Sequence, residues 1–191
     1  KMGFAIAEEL AQRGARVILV SGPVSVSTNS SKIELIKVES AKEMYETCLH
    51  YFPECYGAVM TAAVADFTPA NPQKHKTKRG KENRIIELSP TQDIAAKLGE
   101  LKQHNQLLVG FALETNDELK NAEKKLKGKN FDFIVLNSLN QAGAGFGVDT
   151  NKITILDRDN NLQNFELKPK TEVANDIINK LISMMEVNSA G

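Results

Sequence analysis

A three-layer α/β/α, Rossmann-like fold with a mainly parallel sheet is predicted by three features of the chain. Short β-branched runs alternate with segments of helical period, the runs are apolar on both faces, and the pattern changes to a hairpin near the end. At the start, Met2, Ile6, Ala7, Leu10 and Ala11 recur at helical spacing, and Gly14 stands where a helix-ending glycine belongs. The run ARVILVSGP follows, bounded by Gly22-Pro23, as a strand buried on both faces. Further strands are expected at KIELIKV (32–38), YGAVMTAAVA (56–65), NRIIEL (83–88), QLLVGFAL (106–113) and FDFIVLN (131–137). Polar-faced helical segments at 40–52, 93–104 and 116–129 lie between them, which implies right-handed βαβ units. The stretch KITILDRDNNLQNFELK reads as an antiparallel hairpin around Asn160-Asn161, and an amphipathic helix closes the chain over about 172–185.

With 191 residues, the chain is sized for a single domain that buries roughly 70% of its unfolded surface. Lysine plus arginine balance aspartate plus glutamate at 24 each, so no global field draws the molecule to nucleic acid or to a membrane. Any electrostatic function must be local. Cys48 and Cys55 fall outside a CxxC spacing, and His50, His75 and His104 form no metal-ligand pattern. No apolar stretch reaches membrane-spanning length, so the expectation is a soluble cytoplasmic protein with reduced thiols.

Chemistry could sit in four places. The opening KMGFAIAEELAQRGARVILVSGP has the look of the second half of a dinucleotide-binding βαβ unit, with phosphate on the helix N-terminus. It lacks a visible GxGxxG, and its strand ends in Ser21-Gly22-Pro23 instead of a ribose-binding acid. A strand and loop ahead of Lys1 are expected to complete that unit. Second, GAVMTAAVADF is a small-residue central strand with Asp66 expected at its exit, where an acid can meet Mg²⁺ or a ribose hydroxyl, or simply cap a turn. Third, KHKTKRGK gathers ammonium groups that repel one another, as in a solvated loop, a polyanion site or a mobile lid over residues 68–83. No aromatic residues interleave with these lysines to stack bases. Fourth, Lys125 and Lys129 are four apart on one helix face, and Phe111 could lie against a flat base or belong to the core.

Taken in order, KMGFAIAEELAQRGARVILVSGP, AAVADF, KHKTKR, QDIAAKL, VGFALET and KGKNFDFIVLN resemble phosphopantothenoylcysteine synthetase, the ligase half of the bacterial bifunctional coenzyme A biosynthesis flavoprotein. The resemblance runs from Lys1 to about Asn151. It implies one nucleotide-binding ligase domain over 1–191 that joins 4′-phosphopantothenate to cysteine through an acyl-cytidylate, consuming CTP and releasing CMP and pyrophosphate. Mg²⁺ is implied with the triphosphate, ATP being the less favoured nucleotide, and FMN only if a flavin-dependent decarboxylase domain precedes this chain. A homodimer is implied, with the hairpin as a contact, and neither nucleic acid nor membrane as partner.

Residue by residue, the family's KxKK motif falls on Lys76-Thr77-Lys78-Arg79, with Lys76 the catalytic candidate at the acyl-nucleotide and arginine in the last place. Asp66 matches the family's nucleotide-site acid and, through Mg²⁺-triphosphate, its metal contact. Met60, Thr61 and Ala62 match backbone contacts to the nucleotide. Gln92-Asp93-Ile94-Ala95 replaces the family's Pro-Asp-Ile segment, so Gln92 stands for its proline. Phe111, Lys125 and Lys129 coincide with later nucleotide-binding positions, and Asn137 ends the next matching strand. Two other classes fit parts of the pattern: an NAD(P)-dependent Rossmann reductase, from the opening helix and strand, and a non-catalytic nucleotide- or nucleic-acid-binding module, from the basic loop.

Overall fold

The structure is a computed structural model that describes residues 1–72, 75, 85–114, 118–138 and 148–189. Helix α1 (Met2–Gln12) ends as its spacing predicts: Gly14 takes φ 98°, and the Ala15 N–H returns to the Leu10 carbonyl. Strands β1 (Val17–Ser21) and β2 (Ile33–Lys37) form a parallel pair. Helix α2 (Ala41–Tyr51) is capped by the Ser40 hydroxyl, which accepts the Glu43 N–H, and a 3₁₀ turn follows at Phe52–Glu54. Strand β3 (Gly57–Met60) comes next, then the short β4 (Phe67–Pro69) and β5 (Leu88–Pro90), which pair only with each other. Helix α3 (Ile94–Leu101), strand β6 (Leu107–Glu114), helix α4 (Glu118–Gly128) and strand β7 (Phe133–Ser138) complete the parallel part. The chain ends with β8 (Thr150–Asn151), β9 (Ile153–Asp157), β10 (Leu162–Asn164), β11 (Lys168–Pro169) and helix α5 (Lys170–Ser189).

The main sheet has five strands in the order β10-β9-β7-β6-β3, parallel across β3-β6-β7 and antiparallel across β7-β9-β10. Side chains alternate between its faces with period two. Leu107, Val109, Phe133, Val135, Ile153 and Ile155 face α1 and α5, meeting Ile6, Val173, Ile177 and Ile178. Leu108, Ala112, Ile134, Leu136 and Leu156 face the other layer, meeting Leu98 of α3 and Ala122 and Leu126 of α4. This is the three-layer arrangement the sequence predicts, with the hairpin at β9–β10 turning through Asn160 at φ 61°. The first and last helices touch directly: Arg13 donates to the Asn179 Oδ1 and Asn175 donates to the Glu9 Oε1. Among the described residues, no helix is long and apolar enough to cross a membrane.

Two strand expectations need correction. YGAVMTAAVA forms a strand only as far as Met60, where its ladder with β6 ends at Gly110; Ala62, Ala63 and Ala65 beyond it are exposed. Alanines offer too little side chain to hold a strand against a helix layer. NRIIEL is not a core strand either. The described part pairs only from Leu88, and Ile85 is 98% exposed and Ile86 72% exposed, so this apolar run is not covered within the chain.

Asp132, at the entrance to β7, organises one end of the sheet. Its carboxylate is nearly buried and accepts the Lys102 ammonium at 2.8 Å and the Leu108 N–H at 2.6 Å, with the Arg158 guanidinium at 3.4 Å. Burial pushes the Lys102 ammonium below its ordinary value, and its bond to Asp132 opposes that shift. Removing the acid would strand a buried ammonium and a buried N–H together. Asp132→Ala is expected to cost about 3–5 kcal/mol, read as a lower urea midpoint at an unchanged m-value.

Candidate functional site

Strand β3 delivers Met60 to the carboxyl end of the parallel sheet, the end at which open α/β folds bind ligands. Thr61 and Ala62 follow immediately. The first turn of α1 comes close: a Cβ on Gly3 would stand 2.6 Å from the Thr61 Oγ1, so glycine is what allows the helix start and the strand end to share this crevice. Met60 itself is half-buried against the α2–α4 layer.

The segment after β3 is tied to the start of α3. The Thr91 N–H donates to the Asp66 carbonyl at 2.9 Å, and the Thr91 hydroxyl donates to the Ala65 carbonyl at 2.6 Å. Asp66 is exposed and immediately precedes β4, six residues beyond the end of the strand at whose exit the sequence places it, because β3 stops early. One residue after Thr91 comes Gln92, exposed, then Asp93, the N-cap of α3, whose carboxylate accepts the Ala96 N–H at 3.0 Å. Lys129 donates to that same carboxylate at 2.9 Å. Two candidate residues that lie 36 apart in sequence thus form an ion pair.

Burial raises the Asp93 carboxyl, but the Ala96 N–H and the Lys129 ammonium outweigh it and hold the group below its ordinary value. Ile94 is 4% exposed, so only its backbone is available to a ligand, and Ala95 packs beside it. Lys125 lies one turn before Lys129, whose N–H donates to the Lys125 carbonyl. Close packing fixes this corner: a Cβ on Gly99 would lie 2.1 Å from the Lys129 carbonyl oxygen, and Asn130 donates to the Gly99 carbonyl.

The structure therefore brings Met60, Thr61, Ala62, Asp66, Gln92, Asp93 and Lys129 along one rim, with Lys125 on the adjoining turn. Phe111 is elsewhere: its half-buried ring packs with the α1–α5 layer, on the sheet face opposite Met60. Lys76, Lys78 and Arg79 lie outside the described residues, as does most of the basic loop.

A second polar group at the start of α1 escaped sequence reasoning. Lys1 pairs with Asp149 at 2.8 Å, Lys170 donates from a buried position to the Val148 carbonyl, and Asn151, fully buried, donates to the Asn137 Oδ1 at 2.7 Å. Only Asn137 was marked beforehand. These residues meet because the β8–β11 pair folds the end of the chain back over the start of α1, a contact no local pattern encodes. Burial, followed by the nearby Lys1, pushes the Lys170 ammonium below its ordinary value.

As for Mg²⁺, no group of three or more His, Cys, Asp or Glu side chains suited to a metal occurs among the described residues. A lone exposed carboxylate such as Asp66 suits an ion that arrives already bound to phosphates, and does not suit a resident metal. Cys48 is not a candidate nucleophile: burial pushes its thiol up to about 11.

The fold is that of a doubly wound α/β domain, a class that binds ligands at the carboxyl ends of its parallel strands. The chain belongs to the family described as the DNA/pantothenate metabolism flavoprotein C-terminal domain, which matches residues 1–185. It is 55% identical over 97% of its length to 52% of a protein named cysteine/cysteine sulfinic acid decarboxylase, from an unknown prokaryotic organism. It is 44% identical over 96% of its length to 45% of the coenzyme A biosynthesis bifunctional protein CoaBC of Bacillus subtilis (strain 168). The chain thus spans about half the length of these relatives. Among solved structures, the C-terminal domain of a coenzyme A biosynthesis bifunctional protein CoaBC superposes with TM-score 0.79 at 36% identity, covering 97% of this chain and 82% of that one.

The Asp93–Lys129 pair has a pH signature. A depressed carboxyl contributes stability that is present above the unfolded value near 3.8 and lost as pH falls through the lower folded value. Asp93→Asn keeps a capping side chain but removes the charge. It is expected to abolish the part of the acid-induced loss of amide protection in α3 that falls below that unfolded value, measured by hydrogen exchange between pH 5 and 2.5. An identical acid profile in the variant would mean that the pair is not what protects the helix start.

Proposed function

We propose that this domain is a phosphopantothenate–cysteine ligase acting in coenzyme A biosynthesis, with CTP as the activating nucleotide. The observation that supports the reading is the rim itself: the segment after Met60–Ala62 is tied through Thr91 to the capped start of α3, which carries the Asp93–Lys129 pair. Family membership and the CoaBC relatives support the same reading.

In the proposed first step a carboxylate oxygen of 4′-phosphopantothenate attacks the α-phosphorus of CTP, and pyrophosphate leaves. In the second, the cysteine amine attacks the acyl carbon, CMP leaves, and the amine loses a proton. Anion meets anion in the first step, so cationic groups must offset the repulsion and the charge that develops. Mg²⁺ bound to the triphosphate would supply part of that offset. Lys76 is proposed to hold the acyl-phosphate oxygens, Lys125 and Lys129 the triphosphate, and Asp66 the ion's outer contacts or the ribose. Asp93 holds Lys129 in place and caps the helix whose N-terminus faces the rim. The backbone of Met60–Ala62 and of Gln92–Ala95 offers the hydrogen bonds that would choose the base. Phe111 is proposed to contact the nucleotide from the α1 side of the sheet, where it lies half-buried.

A homodimer is also proposed. The β4–β5 ribbon leaves Phe67 59% and Leu88 54% exposed, and a two-stranded ribbon is marginal unless something covers it. The C-terminal hairpin, with Leu162 49% exposed, is the other surface proposed for that contact. Leu88→Lys is expected to shift sedimentation from dimer to monomer; an unchanged sedimentation coefficient removes the ribbon from the interface.

The assay incubates the polypeptide, extended at its amino end as in the Bacillus subtilis relative, with 4′-phosphopantothenate, cysteine, Mg²⁺ and either CTP or ATP. CMP formed together with the amide is the expected result. Retention of NADP without nucleotide cleavage would point to the reductase class, and carbon dioxide from cysteine or cysteine sulfinate to the activity in the first relative's name. Lys76→Gln is expected to slow amide formation by at least about a hundredfold, a loss of about 2.7 kcal/mol in transition-state stabilisation, with CTP binding retained. Near-normal turnover would remove Lys76 from the reaction.

A further inference from the structure

The carboxyl end of β7 carries a pair of asparagines on an otherwise apolar sheet face. Phe133 and Val135 belong to the α1–α5 layer, so Asn137, two residues further on, stands on the same face. Phe111 of β6 is on that face too, and its register partner is Val135, which places it one pleat from Asn137 on the neighbouring strand. On the other side β9 pairs Ile153 with Asn137. Asn151 comes two residues before Ile153, so it reaches Asn137 from beyond the end of that ladder. The β8–β11 pairing holds it there, with Asn151 opposite Lys168, and its side chain is fully buried.

The pair is asymmetric. Asn151 donates through Nδ2 to the Asn137 Oδ1 at 2.7 Å, while its own buried Oδ1 has no partner among the described residues. A buried polar atom left unmet costs stability, so asparagine is a poor choice at 151 for packing alone. Its effect is to turn the Asn137 carboxamide one way. The Asn137 Oδ1 is committed to Asn151, and the Nδ2, on a residue only half-buried, has no partner among the described residues. The opposite arrangement, with Asn137 donating to Asn151, would bury an NH₂ group with no acceptor, a costlier orphan than one oxygen. The surroundings of Asn151 thus select a single orientation.

We propose that Asn151 is a positioning residue: it holds the Asn137 NH₂ group outward as a fixed donor to an oxygen acceptor of the nucleotide that Phe111 is proposed to contact, a role that rests on the ligase reading above. Asn151, fully buried, touches no ligand itself. Two helix starts bear on the same corner. Lys1, at the start of α1, pairs with Asp149, two residues before Asn151, and Lys170 opens α5 while donating to the Val148 carbonyl. The positive ends of both helices favour an electron-rich ligand atom, which a carboxamide oxygen turned outward would repel. Because the donor is already oriented, no binding energy is lost in turning the amide.

Two variants of the amino-terminally extended polypeptide used in the assay above separate orientation from structure. Asn151→Asp, studied at about pH 8 so that the carboxylate is ionised, offers an acceptor only, and Asn137 must then turn its NH₂ inward and its oxygen outward. CTP affinity by calorimetry is expected to fall at least about tenfold, and hydrogen exchange at the Asn137 side-chain amide, followed by NMR, to change from fast to slow. Asn151→Leu removes the orphaned oxygen together with the anchor. Its urea midpoint is expected to hold or rise while CTP binding weakens about threefold or more. A lower midpoint in Asn151→Leu with unchanged CTP affinity overturns the proposal, because Asn151 would then serve structure alone. Unchanged exchange at Asn137 in Asn151→Asp overturns it as well. A parent polypeptide that binds no CTP overturns the ligase reading, and with it the nucleotide as the ligand. The orientation is then decided by amide exchange in the parent: fast at Asn137 and slow at Asn151 supports it, and slow at Asn137 overturns it.

Discussion

A buried carboxylate at the foot of the sheet is the constraint on which the rest depends. Asp132 ties the start of β6, the end of α3 through Lys102 and the hairpin through Arg158 to one point. The Lys102 ammonium and the Leu108 N–H would be costly to bury alone, so β6 and the end of α3 must arrive together with Asp132, while the more exposed Arg158 adds the hairpin. That sets the registers of β6, β7 and β9, and with them the position of the α4 end from which Lys129 reaches Asp93. The Asp93–Lys129 pair thus takes its geometry from a polar knot beside it, since the Asn130 carbonyl accepts the Lys102 ammonium.

Packing at two glycines transmits this geometry. A Cβ on Gly110 would meet the Phe131 ring at 2.3 Å, and one on Gly99 would meet the α4 terminus, so sheet, helix and helix end are drawn closer than larger residues permit. Lys129 reaches Asp93 because of that closeness. The ion pair, half exposed, adds little to stability by itself, and its importance is in where it leaves a positive charge.

Much of this was legible in the sequence. Helix α1 with its Gly14 stop, the runs of β1, β6 and β7, and the Asn160 hairpin were all readable, because each is encoded by a local period or a turn residue. The candidate rim was legible through its resemblance to a family, and structurally through Met60–Ala62 and Asp93. The length of β3 was not, since small apolar residues read alike in a strand or beyond its end. Nor was the exposure of Ile85 and Ile86, which resemble core residues until the partner strand is known. The Lys1–Asp149 and Asp93–Lys129 pairs depend on tertiary approach between distant segments, and the sequence contains no spacing that announces them.

The direct contact between α1 and α5 has a further meaning for how the domain is made. Ile6 of α1 packs in one cluster with Ile177 and Ile178 of α5, so one face of the central sheet stays open until α5 docks. A chain in which α5 has not yet docked would therefore leave Val109, Phe133 and Val135 uncovered. Once closed, neither α1 nor α5 can peel away without unmaking this layer of the core.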